Sequence, residues 1–207
     1  MNVIEKLASS LNRRDEVPNQ ELAEKICKRK DKAAIKELVN HLQHKNQSIQ
    51  NDCIKVLYEI GERKPELIAE FATMFVDLLK HKNNRLQWGA MTALNTIVLE
   101  NPKVVYASIK KIMDAANSGS VITKDNAAGI LINLCSLKQY SENAFLLLNE
   151  QLLSSPTNQL PMYAESAVPI ITEKNKKIFL KSLSSRLDEI EKESKRKRVE
   201  KVIRKFS

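Results

Sequence analysis

Apolar residues along this chain recur at helical spacing. From Cys53 onward they fall at Cys53, Val56, Leu57 and Ile60, the i, i+3, i+4, i+7 pattern that places them on one face of a helix. The same figure returns 37 residues later at Ala90, Ala93, Leu94 and Ile97, then at Ala127, Ile130, Leu131 and Leu134, and again at Ala164, Ala167, Val168 and Ile171. A shorter apolar run precedes each: Ile35, Leu38, Val39, Leu42; Phe71, Phe75, Val76, Leu79; Val105, Ile109, Ile112, Met113; and Phe145, Leu146, Leu148, Leu152. Each unit therefore predicts a helix A, a turn and a helix B. The turns are marked by Lys45-Asn46-Gln47, Lys82-Asn83-Asn84, Ser118-Gly119-Ser120 and Ser154-Ser155-Pro156. Strict apolar/polar alternation is rare, so strands have little support.

The repeat is also a repeat of identity. Leu38–Ile60 lies over Phe75–Ile97 without a gap, and 8 of the 23 positions agree, including His-Lys-Asn at 44–46 and at 81–83. Pro65 falls over Pro102, each opening a helical pattern, where a missing N–H costs nothing. A single helix pair cannot bury its apolar face alone, so such units must stack. The pattern predicts a leading pair, Val3–Leu11 and Asn19–Lys30, so that 1–27 caps one end. Four repeats occupy 28–175, and 176–207 forms a basic C-terminal cap.

A turn followed by an aliphatic, a polar and a small residue and then an Ala/Leu pair (Leu86, Gln87, Ala90, Ala93 and Leu94 in the second unit) resembles the HEAT repeat, an armadillo-type helical motif. The resemblance covers about 150 residues. The segments 83–91 and 119–127 are also similar to uncharacterised bacterial HEAT-repeat proteins. The chain departs from the family where members often carry Asp-Pro and then Arg: the Arg-like position reads Gln50, Gln87, Lys124 and Pro161. The resemblance implies an all-α, right-handed α-α superhelix, a HEAT-like solenoid of antiparallel helix pairs, with the B helices lining its concave side.

Helical arithmetic then nominates what faces that side. With Leu86 at 0°, the core positions of the second B helix lie between about −20° and +80°, whereas Asn95, Trp88 and Leu99 lie at about 180°, 200° and 220°. Shifting by 37 gives a strip of mixed polarity: Asn51, Lys55, Tyr58, Glu62; Trp88, Thr92, Asn95, Leu99; Asp125, Gly129, Ile132, Ser136; Met162, Ser166, Pro169, Glu173. Trp88, the only tryptophan, is costly to leave in water and suits an interface anchor; packed on a neighbouring helix, it would be structural instead. Tyr58 carries the same pair of readings. Asp125, between Lys124 and Asn126, reads as a cap near the start of the third B helix or as an acid facing the groove. Tyr58, Trp88, Thr92, Asn95, Asp125 and Met162 are the candidate partner-binding residues.

Charge adds one feature. The net charge of +9 is concentrated: 174–207 holds 13 Lys/Arg and 5 Asp/Glu, or +8, leaving about +1 for the rest. Val199, Val202, Ile203 and Phe206 mark an amphipathic terminal helix whose other face carries Lys195, Arg196, Lys197, Arg198, Lys201 and Arg204. That face is a candidate contact for nucleic acid or an acidic partner, although no aromatics interleave it to stack bases.

Candidate chemistry is sparse. Cys27, Cys53 and Cys135 are widely spaced and fit reduced thiols in the core of a cytoplasmic protein. His41, His44 and His81 lack the further ligands of a metal site. The four glycines form no phosphate-binding loop, and no nucleophile elbow or carboxylate pair occurs. No apolar run reaches the length of a membrane span. HEAT-like glycosylases for alkylated bases resemble the chain in length, helical build and charge, but their Trp and Asp stand four apart on one helix, whereas the residue four beyond Trp88 is Thr92. The sequence therefore predicts a non-enzymatic binding or scaffold module for a protein or peptide, without cofactor, metal or membrane. Nucleic-acid binding at the basic end and the glycosylase are the alternatives.

Overall fold

The computed structural model describes residues 2–206. Among them the chain is all-helical, without strands, and its contacts divide it into two compact units, 1–127 and 128–207, with the division falling inside one helix.

In the first unit, α1 (Val17–Arg29) packs against α3 (Gln47–Arg63), and α3 against α5 (Asn84–Ile97). These helices form one layer. Helix α2 (Lys32–Asn40) lies against α3, and α4 (Ala72–Leu78) against α5 and α6 (Pro102–Ala107). Helices α7 (Ile109–Ser118) and α8 (Val121–Cys135) follow. Helix α1, expected in the leading cap, therefore stands in line with the B helices. The apolar columns of the first three B helices are buried as the periodicity requires: Cys53, Val56, Leu57 and Ile60, then Ala90, Ala93, Leu94 and Ile97, then Ala127, Ile130, Leu131 and Leu134 are all inaccessible.

The repeated His-Lys-Asn segment is a capping turn. His44 Nδ1 accepts from the Asn46 N–H at 3.0 Å, and the Asn46 side chain accepts from Ser48 N–H at 2.9 Å to cap α3. His81, Asn83 and Arg85 repeat both bonds at 3.0 Å to cap α5. The glutamines at the Arg-like position also bond back, to different carbonyls: Gln50 donates to that of His44 at 2.8 Å and Gln87 to that of Leu79 at 2.7 Å. Both tie the start of a B helix to the end of its A helix, satisfying carbonyls that a helix end leaves open.

The predicted helix Val3–Leu11 does not form. Only Ile4–Lys6 is helical, as one 3-10 turn, because long-range side chains take the backbone donors. Glu37 accepts from Val3 N–H at 3.1 Å, Asn19 from Ala8 N–H at 3.0 Å and Asp52 from Ser9 N–H at 2.7 Å. Asn19 also donates to Asp52 at 2.8 Å, so this strap is fastened to α1 and α3 together.

In the second unit, α9 (Ser141–Ser154) packs on α11 (Lys176–Ser185), and α10 (Leu160–Ala167) on α12 (Glu193–Phe206). The final pair thus takes up the same layered arrangement. Helix α10 is the exception to the pattern. Its apolar stripe predicts a helix through Ile171, but it stops at Ala167, and Val168–Ile170 is a 3-10 turn. Pro169 has no N–H to continue the ladder. Ala164 and Ala167 keep their buried places, whereas Val168 and Ile171 are only half-buried. Among the described residues no helix is long and apolar enough to cross a membrane.

Candidate functional site

The surface where α3 and α5 run side by side carries most of the nominated residues. The two helices approach closely because Gly89 faces Ile54 and Gly61 faces Thr96; a Cβ at Gly89 would sit 2.7 Å from Ile54 Cγ1. That proximity brings Tyr58 and Trp88 to a ring separation of 5.9 Å with the planes tilted by 48°. Such a pair is favourable beyond its buried area. Each ring also lies beneath a cation: Lys55 Nζ is 4.7 Å from the Tyr58 centroid and the Arg85 guanidinium 5.5 Å from that of Trp88.

These cations belong to an alternating chain of charge. Arg63 bonds the Glu59 carboxylate, Glu59 lies 2.6 Å from Lys55 Nζ, Lys55 lies 2.9 Å from Glu16, and Glu16 bonds Arg85. Lys55 and Glu59 are buried, with side chains only 8% and 7% exposed. A charge removed from water must be matched, and the directions of ionisation show that it is. Burial pushes Glu59 toward protonation, but its bonds from Lys55 and Arg63 outweigh that and hold it below the usual carboxylate range. Glu16 is likewise raised by burial, and more strongly lowered by Lys55 and Arg85. Burial disfavours charged Lys55, while Glu59, Tyr58 and Glu16 raise its affinity for the proton well above the ordinary lysine value. The result is a fixed network with three cations and two anions.

Beside Trp88, Thr92 donates to the Trp88 carbonyl at 2.9 Å and accepts from Asn126 Nδ2 at 3.1 Å. Asn95 donates to Asn126 Oδ1, also at 3.1 Å. Asn126 therefore ties the first turns of α8 to two successive turns of α5. Asp125 is half-buried next to it. It is not the cap of α8: that helix opens at Val121, directly after the Ser118-Gly119-Ser120 turn, and Ser120 Oγ accepts from Thr123 N–H at 3.3 Å.

The structure thus brings Tyr58, Trp88, Thr92 and Asn95 together on adjoining helices, but with unequal access. Tyr58 and Lys55 are buried beneath their neighbours, at 6% exposure each, whereas Trp88, Thr92 and Asn95 are half-buried and Leu99, just past α5, is 52% exposed. Met162 belongs to the second unit, where it stands exposed on α10. Glu16, Glu59, Arg63 and Arg85 were not nominated. Lys55, Glu59 and Arg63 stand four apart on one helix, a spacing that signals an ion-paired ridge. Glu16 arrives from 39 residues before Lys55, and nothing local marks it.

At the basic end most cations are already engaged. Lys195 donates to Asn158, Arg196 pairs with Asp188 and Glu200 at 3.3 Å, Lys197 with Glu193 at 2.6 Å, and Arg198 grips Glu165 through two bonds of 2.8 and 2.6 Å. Lys201 and Arg204 are exposed and have no ion-pair partner among the described residues. Arg186, also not nominated, is buried and donates to the carbonyls of Leu152 and Ser155 at 2.8 and 3.0 Å, closing the end of α9. Among the described residues no three His, Cys, Asp or Glu side chains are grouped to hold a metal ion.

Comparison with known proteins bears on the fold alone. No protein-family model matches the chain, and no curated protein does. Two engineered proteins, both crystal structures of Northeast Structural Genomics Consortium targets, are similar in structure. One is 20% identical, with the match covering 100% of this chain and 98% of its own, at a TM-score of 0.59. The other is 19% identical, with 97% and 58% covered, at the same TM-score.

Proposed function

We propose that the chain is a non-enzymatic binding module that holds a protein or peptide partner on the α3–α5 surface, and that within each unit its helix pairs are stacked antiparallel in the right-handed manner of a HEAT-like solenoid. The observation that carries the reading is Trp88. Its indole is only half-buried, backed by Tyr58 and on the same helix as Arg85, Thr92 and Asn95. A ring held rigidly from below loses little freedom when a partner covers it, and an adjoining polar rim with donors and acceptors already ordered suits recognition of a peptide. The adjoining charge chain, buried at Lys55 and Glu59, supports the rigidity of this surface.

In the proposed arrangement α1 extends the same B-helix layer, and the glutamines replacing the family's arginine keep the turn bonded without adding charge. Affinity capture from the native host with the wild-type chain and with Trp88→Ala tests the reading. The wild type is expected to enrich partners that the variant loses, with helix content unchanged by circular dichroism. Equal recovery by both would remove Trp88 from the interface.

The nucleic-acid alternative rests on Lys201 and Arg204, since the other four nominated cations have intramolecular partners that a phosphate would have to displace. Binding through this end would weaken steeply with salt, and Lys201→Ala with Arg204→Ala would flatten that slope.

A further inference from the structure

The second unit contains a cleft that the α3–α5 surface does not explain. It has a volume of about 680 Å³ and is formed by the end of α8, the first turns of α9, the loop 171–175 and the start of α11. That volume lies within the roughly 300–1,000 Å³ typical of small-molecule sites. Its apolar lining comes from Phe145, which is buried, with Leu146, Ile170 and Ile178. Leu146 and Ile178 leave 54% and 43% of their surface in water, an unusual cost for two large aliphatic residues bordering one concavity.

The polar lining is unbalanced. Lys138 and Lys174 border the cleft, and no ion pair or hydrogen bond engages either side-chain ammonium among the described residues, although the Lys138 carbonyl accepts from Ser141 Oγ. Glu142 is the only acid in the lining, so the charge of the cleft is two cations less one anion, or +1. Cys135 contributes no charge: burial pushes its thiol up to about 12, so it is protonated at neutral pH and adds to the apolar wall. No acidic residue lies in the first turn of α11 to offset Lys176 and Lys177, and Glu173, beside Lys174 in sequence, is not part of the lining. The cleft therefore combines exposed aliphatic surface with a single uncompensated positive charge.

We propose that this cleft binds a single-chain amphiphilic carboxylate, with the carboxylate between Lys138 and Lys174 and the alkyl chain against Phe145, Leu146, Ile170 and Ile178. A monoanion matches the net charge. Burying the chain against the exposed aliphatic side chains supplies the affinity, and the lysines supply the preference for an anionic head. The cleft belongs to the second unit and the Trp88 surface to the first, and either reading can fail without the other.

The probe is decanoate, titrated below its micelle concentration into the full-length chain and followed by backbone amide shifts and by calorimetry. Saturable binding is expected, with shifts at 135–146 and 170–178 and none around Trp88. Lys138→Glu combined with Lys174→Glu is expected to weaken binding about tenfold, as is Leu146→Asp, and decylamine, the same chain with the opposite head charge, is expected not to bind. Each substituted side chain is exposed, so circular dichroism and melting should match the wild type. The proposal is overturned if decanoate shows no saturable binding, if decylamine binds as well, or if the double-lysine variant keeps the wild-type affinity.

Discussion

The contact between α3 and α5 and the contact between α10 and α12 join the same kind of helix by different means. In the first unit, helices of 17 and 14 residues meet through glycines, so their backbones come close, and polar groups between them are drawn out of water. Charges there alternate in sign, three cations with two anions, and form a continuous chain from Arg63 to Arg85. In the second unit, α10 has only 8 residues, and its visible polar tie to α12 is the Arg198–Glu165 pair, whose side chains are 46% and 43% exposed. The lesson is that enclosure decides how much a charge matters: Lys55 and Glu59, both on α3, are buried together, whereas Arg85–Glu16, at 39% and 41% exposure, stands in solvent much as Arg198–Glu165 does.

The comparison breaks most readily at Lys55. Lys55→Met strands Glu59 and Glu16 with one cation fewer apiece and should destabilise the first unit by about 3 kcal/mol in urea unfolding. A loss below about 1 kcal/mol would show that the pair is better hydrated than its burial implies. Gly89→Ala follows, at about 1–3 kcal/mol, because its Cβ must displace Ile54; the same unfolding experiment reads it. Asn83→Ala should cost about 1 kcal/mol for the lost cap of α5. It also removes the bonds that Asn83 donates to Gln50 and Asn51 at 3.1 and 2.9 Å. Arg198→Ala should have the smallest effect, under about 1 kcal/mol and shrinking with added salt.

A pH titration sharpens the same contrast. Glu59 is held below its ordinary value of 4.5, so the folded state binds its proton less readily than the unfolded chain does. The stability it contributes is therefore complete above about 4.5 and is lost as the pH falls through the lower folded value. Glu59→Gln should flatten the acid limb of the stability curve. If wild type and variant lose stability in parallel on acidification, Glu59 is not the group responsible.

Much of this architecture could be read directly from spacing. The 37-residue shift placed the first three B helices and their buried columns, because core positions are set by helical period and the first two turns by Asn caps, whereas the third A helix, expected through Val105–Met113, is broken at Ser108 into α6 and α7. The fourth column failed at its far end because Val168 and Ile171 satisfy the apolar pattern while Pro169 between them forbids the ladder, and backbone chemistry prevailed over periodicity. The strap at 2–12 was misread as a helix because its donors are captured by Glu37, Asn19 and Asp52, residues that no local pattern connects to it. Trp88 was legible as a solitary indole opposite the core. Its setting was not, since helical arithmetic places Tyr58 and Lys55 on the open face without revealing that neighbouring side chains cover them. Glu16 and Arg85 meet only through the packing of α1, α3 and α5.

Trp88 is the only tryptophan, so fluorescence from the whole chain reports on this single position. The most direct test of the binding surface is acrylamide quenching of that emission with and without the partner recovered by capture. If the partner seats on the α3–α5 surface, its addition will lower the quenching constant severalfold and shift the emission to shorter wavelength. A saturating partner that leaves quenching and emission unchanged would contradict the account.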